Sequence, residues 1–273
     1  MIQDVPYLAA RIEYGEHTFR NLRAMAQDVA SILMRPCFAT AEVLSAWRED
    51  RMVFQIRPTA EKLAAYLCHP ANDGISLSTP CKATIEISNG NDRKTEKLRP
   101  TSLYAYVVVP FVPAGHEALL RGICDLARAL RAASGFVAVD TRHSSAFQIA
   151  LVGPPVARAG LGEQRQHERG LRWSGAARLG SEVAGVEWGT FLGSGHLRKV
   201  DLEAVRASGA FAKVLRLAQD LAYLQVTGNP MDDLNGQLEE RLPAARRALA
   251  PLMMATSAAS PSRPEHCVED AEP

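Results

Sequence analysis

The first hydrophobic run, Tyr7 to Tyr14, is a strand of mixed pattern. From about His17 to Met34 the period changes: Phe19, Leu22, Ala26, Val29 and Leu33 recur at three- and four-residue steps, which gives a helix one apolar face. Pro36 stops it, because proline cannot continue the hydrogen-bond ladder. Ala41 to Trp47 reads as a further short helix, Met52 to Ile56 as a short strand, and Glu61 to Leu67 as a brief helix opened by Pro58 and closed before Pro70. From Gly74 onward β-rich runs take over, at Ile75 to Ser78, Ala83 to Ser88 and Ser102 to Phe111. They are separated by Pro80 and by a polar turn segment, Asn89 to Arg99. Val107-Val108-Val109 is apolar on both faces, the mark of a strand central in a sheet.

Glu117 to Ala133 carries the clearest helical pattern, with Leu119, Leu120, Ile123, Ala127 and Leu130 on its buried side and Gly135 beyond its end. Phe136 to Asp140 and Ala146 to Val152 then read as two strands. Between Gly153 and Leu179 lies a long irregular connection with five arginines (158, 165, 169, 172 and 178) against two glutamates. A connection of that length is a surface loop, or a lid or partner-contacting arm. Asp201 caps a short helix through Arg206, with Gly209 past its end. Ala212 to Leu217 and Leu221 to Thr227 form a hairpin turning at Gln219-Asp220, or the first of them a helix. After the turn Gly228-Asn229-Pro230, Pro243 opens a final helix to about Met254, which buries Leu249, Leu252 and Met253. The residues from about Ser257 lack periodicity and read as a disordered tail.

Strands cluster in this pattern and do not strictly alternate with helices. The expected fold is therefore α+β, a mixed or mainly antiparallel sheet with helices packed on it, in a single domain over residues 1–256. One stretch stands out, Gly185 to Gly195. Glycines at 185, 189, 193 and 195 permit positive φ or close backbone approach, while Val186, Trp188, Thr190 and Leu192 alternate as one face of a buried strand. Trp188 anchors the core beneath that strand provided its indole N–H finds an acceptor.

The segment Trp188-Gly189-Thr190-Phe191-Leu192-Gly193, followed by Gly228-Asn229-Pro230-Met231-Asp232-Asp233 and a closing Leu/Ala/Arg-rich helix, resembles the C-terminal half of type VI secretion immunity families. The resemblance runs over about residues 100 to 253, in order and spacing, and is weak in the N-terminal hundred. Those families are small cytoplasmic proteins that neutralise a toxic effector encoded beside them, and the ones in question look like partners of restriction-endonuclease-like nuclease toxins. The resemblance therefore implies an inhibitor with a protein partner, no cofactor and no catalytic residues.

Composition agrees with an ordinary globular protein: 273 residues, 47% hydrophobic and 22% charged. A net charge of +1 supplies no global field toward nucleic acid or anionic lipid. Five widely spaced cysteines without a C-x-x-C give neither a disulfide framework nor a structural zinc site, which points to a reducing cytosol. The N-terminus shows no signal-peptide pattern, and no apolar run approaches the length of a membrane span.

Seven histidines include no H-x-x-x-H pair, and there is no G-x-S-x-G elbow. Glycine-dense 189 to 195 lacks the Lys-Ser/Thr ending of a phosphate loop. Asp232 and Asp233, with Glu239 and Glu240 nearby, are the densest acidic group within the fold. They read as helix-start and surface acids, or as the partner-binding residues of an inhibitor. Acids suit the second role because a nuclease presents cations to phosphate and an inhibitor must offer those cations a substitute. A second reading is an enzyme or small-ligand binder with a cleft beside the Trp188 strand, where arginines 158, 165, 169 and 172 clamp an anionic substrate.

Overall fold

The computed structural model describes residues 5–14, 16–38, 42–48, 51–69, 74–78, 84–88, 103–112, 115–152, 182–183 and 185–253. The 153–179 connection, the tail beyond 256 and the Asn89 to Arg99 turn lie outside the described residues.

Among the described residues ten strands form one antiparallel sheet. They are β1 (Tyr7–Tyr14), β2 (Val43–Arg48), β3 (Arg51–Ile56), β4 (Gly74–Ser78), β5 (Thr84–Ser88), β6 (Leu103–Pro110), β7 (Ala132–Asp140), β8 (Gly189–Leu192), β9 (Lys213–Ala218) and β10 (Leu221–Gln225). Their order across the sheet is β3-β2-β4-β5-β6-β1-β7-β8-β10-β9. Among the described residues there are seven α-helices: α1 (Glu16–Leu33), α2 (Ala60–Leu67), α3 (His116–Ala129), α4 (His143–Val152), α5 (Ser194–Leu197), α6 (Leu202–Ala207) and α7 (Gln237–Ala248). The fold is α+β with an open antiparallel sheet.

Strand alternation assigns the two sheet faces. On one face, Leu8, Ala10, Ile12 and Tyr14 of β1 join Ala105, Val107 and Val109 of β6 and Val137 and Val139 of β7. Helices α1 and α3 cover this side with Ala26, Val29 and Leu33, and with Leu119, Leu120, Ile123 and Ala127, as their periodicity dictates. On the other face, Ala9, Tyr106, Val108, Phe136 and Ala138 pack under Ala146, Ile149 and Ala150 of α4. Because β6 has neighbours on both edges and helices on both faces, Val107, Val108 and Val109 are all buried, as their unbroken apolar run implies.

Four expected elements are corrected. The helix expected over Glu117 to Ala133 stops at Ala129, and Ala132, Ala133 and Gly135 belong to β7. Ala41 to Trp47 is not a helix: β2 pairs β3 and β4, burying Leu44 and Ala46. Ala146 to Val152 is not a strand but the body of α4, whose buried residues stand at helical steps of three and four. The last helix begins at Gln237, six residues before Pro243, so that proline sits inside α7 and leaves the Glu239 carbonyl without its helical donor. The hairpin reading of 212–227 holds, since β9 and β10 pair antiparallel. Asp201 caps α6 by accepting from the Glu203 N–H.

Candidate functional site

The segment of Trp188 lies at the centre of the C-terminal half. The strand itself is shorter than the alternation suggests, Gly189–Leu192, with every residue buried and both edges paired, to β7 and β10. Trp188 is 0% exposed, and its indole N–H donates to Thr227 Oγ1 at 3.2 Å. That hydroxyl in turn donates to the Asn229 carbonyl, so the indole is tied to the turn that carries the acids. The ring of His116 meets Trp188 edge-on at 6.4 Å. Phe191 packs on Tyr223 with ring centroids 5.0 Å apart.

None of Gly185, Gly189, Gly193 and Gly195 has positive φ, and two of them serve close approach instead. A Cβ on Gly189 would overlap the Tyr223 ring, and one on Gly193 would sit 2.5 Å from the Ala133 carbonyl oxygen and 2.8 Å from that of Ala132. Beside them His196 is fully buried. Its Nδ1 accepts from the Gly193 N–H at 3.3 Å, which leaves Nε2 to donate to the Glu182 carbonyl at 3.1 Å. This histidine is a clasp between 182 and β8.

The four acids do not form one surface. Asn229 Oδ1 accepts from the Met231 N–H and starts a 3-10 turn, Pro230–Asp233. That turn aims Asp233 inward: it is 5% exposed, and its Oδ2 accepts from the Val139 N–H at 2.7 Å. Asp232 is half-buried on the same turn. Glu239 and Glu240 are exposed in the first turn of α7, with Arg246 and Arg247 in its last, the distribution that suits a helix dipole. Arginines 158, 165, 169 and 172 lie outside the described residues.

A second polar group was missed by sequence reading. On the α4 side of the sheet, Arg11 Nε donates to Glu13 Oε1 at 2.9 Å, and both side chains are almost fully buried. The guanidinium also lies 4.7 Å from the centre of the Tyr104 ring and 3.4 Å from the Ala150 carbonyl of α4. Ser134 Oγ donates to the other Glu13 oxygen. On the next strands Tyr104 stacks on Tyr106, whose hydroxyl bonds Glu86. Burial, which outweighs the pull of Arg11, pushes the Glu13 carboxyl up to about 7. Burial also raises the Glu86 carboxyl, against the lowering effect of its Tyr106 hydrogen bond. The groups satisfy one another and fasten α4 to the sheet. The available signal was a charged pair two residues apart, hence on one face, inside the otherwise apolar Leu8 to Tyr14.

Among the described residues no three His, Cys, Asp or Glu side chains are grouped to hold a metal ion, and no helix is long and apolar enough to cross a membrane. No protein-family model and no curated protein matches the chain. Among solved structures, its fold is similar to that of a Pseudomonas aeruginosa T6SS protein, PA0821, at a TM-score of 0.59 and 12% identity, over 91% of this chain and 73% of that one.

Proposed function

We propose that the protein is a cytoplasmic immunity protein that binds a cognate secreted toxin effector, a nuclease, and neutralises it by covering its active site. The observation that carries this reading is the likeness of fold, across nine-tenths of the chain, to a protein of the type VI secretion system. The residue pattern gives the same direction independently: the Trp188 to Gly193 segment and the Gly228 to Asp233 turn that resemble immunity families are bonded to each other through Trp188, Thr227 and Asn229. The mechanism is stoichiometric occupancy without turnover, with acids meeting the cations a nuclease directs at phosphate.

The test is inhibition of the effector encoded beside this gene. One equivalent of the purified protein is expected to abolish that effector's nuclease activity, and cells producing both are expected to survive. If the activity is unchanged at a several-fold excess of this protein, the reading is wrong.

A further inference from the structure

We infer that the partner docks on the end of the sheet where β1 begins and β6 and β7 finish, around Val5 and Val112, an inference that rests on the immunity reading. The register pairs Tyr7 with Pro110, and the Phe111 N–H donates to the Pro6 carbonyl, so one further step sets Val5 opposite Val112. Both are exposed: Val112 at 66%, the most of any large apolar side chain among the described residues, and Val5 at 47%. By the two-residue alternation both lie on the α4 side. Behind them on that face the pairs Tyr7–Pro110 and Tyr7–Asp140 make a row across three strands, Pro110, Tyr7 and Asp140, each half-buried. His143, at the start of α4, meets Tyr7 edge-on at 5.4 Å and continues the patch.

Charge decides what the patch accepts. Asp140, which caps the start of α4 through the Arg142 N–H and the Ser145 hydroxyl, borders it on β7. The 3-10 turn that holds Val139 through Asp233 brings Asp232 to the same end of β7. Arg142, two residues after Asp140, is exposed beside them. The result is an apolar centre with a carboxylate rim, suited to a protein surface that offers an apolar side chain flanked by Lys or Arg. A nuclease's phosphate-binding face has that chemistry. Glu239 and Glu240 are exposed on α7, the helix that packs against this 3-10 turn.

The experiment measures binding of the purified product of the adjacent effector gene by calorimetry to wild-type protein, to a V5R/V112R double variant and to an E239K/E240K variant. Cations placed at the centre of the contact are expected to weaken binding by at least about 30-fold. The α7 variant is expected to bind within about 3-fold of wild type, since rim or remote charges contribute little. Both valines are exposed, so the double variant should melt with wild type. Amide exchange in the wild-type complex is a second readout that needs no variant, with protection expected at 6–9, 107–112 and 139–142. Unchanged binding by V5R/V112R, or protection confined to α7, overturns this surface while leaving the immunity reading intact. Absence of binding by wild-type protein overturns both.

Discussion

The carboxylate of Asp233 stands 2.7 Å from the backbone nitrogen of Val139, a residue 94 positions earlier in the chain. The β7–β8 ladder ends at Val137 paired with Gly189, so Val139 lies beyond the last β8 partner. A buried amide without an acceptor is costly, and the aspartate supplies the acceptor that a strand would otherwise give. Replacing Asp233 with Ala is expected to destabilise the fold by about 2 kcal/mol, the range for a charged hydrogen bond whose buried partner is orphaned. Asp233→Asn keeps an oxygen in place and should lose about half as much. Asp232→Asn, on a half-buried neighbour, should stay within about 0.5 kcal/mol of wild type. Urea denaturation of the three variants checks the ranking, and equal losses at 232 and 233 would contradict the structural role of the second acid.

The Trp188 indole gives a second comparison. Its N–H has Thr227 Oγ1 as partner, and both residues are buried. Thr227→Val conserves volume but orphans the indole N–H, which is expected to cost about 1 to 3 kcal/mol. Trp188→Phe removes the donor, shrinks the two-ring indole to a phenyl and leaves a void, so about 3 kcal/mol or more should be lost. The two losses should not add in the double variant, because the hydrogen bond is removed by either change alone. A double-mutant cycle in urea measures the coupling, and strict additivity would show that the bond contributes nothing.

Glycines test whether the motif is a matter of backbone spacing. A methyl at Gly193 would meet two backbone carbonyls of β7, which cannot rotate away, whereas one at Gly228 would meet nothing within 4 Å. Gly193→Ala is therefore expected to destabilise by about 2 kcal/mol or more through overpacking, and Gly228→Ala to change stability little. Thermal melts of the two variants separate these outcomes. A neutral Gly193→Ala would mean that β7 and β8 can move apart without loss.

Much of the frame was readable because each strand and helix obeys a period. Tyr7–Tyr14 is β1 residue for residue, and the apolar face of α3 is the one that its spacing marks. Where reading failed, two periods fitted one stretch. Ala146 to Val152 is a short apolar run, and only the sheet beneath it shows that Ala146, Ile149 and Ala150, and no alternating set, are the buried positions. Val43–Arg48 became β2 because β3 and β4 flank it, a tertiary fact that local preference does not contain. Proline suits a helix start, so Pro243 marks one locally, but the Glu-rich turn before it is already helical. At the acids the limit was sharper. Asp232 and Asp233 are chemically identical neighbours, and it is the 3-10 geometry after Pro230 that turns one to the core and leaves the other half-buried.

The buried Arg11–Glu13 pair predicts a pH dependence whose sign can be worked out. Desolvation raises the folded-state value of Glu13 to about 7, above the roughly 4.3 of an unfolded chain. Between those values the folded protein holds a proton that the unfolded chain has released, so folding takes up close to one proton near pH 5.5 to 6. Stability from this group is therefore greatest at low pH and falls as pH rises, levelling off above about pH 7 once both states are ionised, with a total change on the order of 3 kcal/mol. Glu86, raised in the same direction, adds to the slope. Glu13→Gln cannot titrate, and its amide oxygen still accepts from Arg11. Its stability should lack the Glu13 share of the decline between pH 5 and 7.5, and because the folded wild-type side chain is itself largely neutral below about pH 7, the variant gives up Arg11's counter-charge only toward the top of that interval. Urea melts at half-unit steps across that interval give the comparison. If wild type and variant run parallel, the carboxylate is ionised throughout and the pair behaves as an ordinary salt bridge.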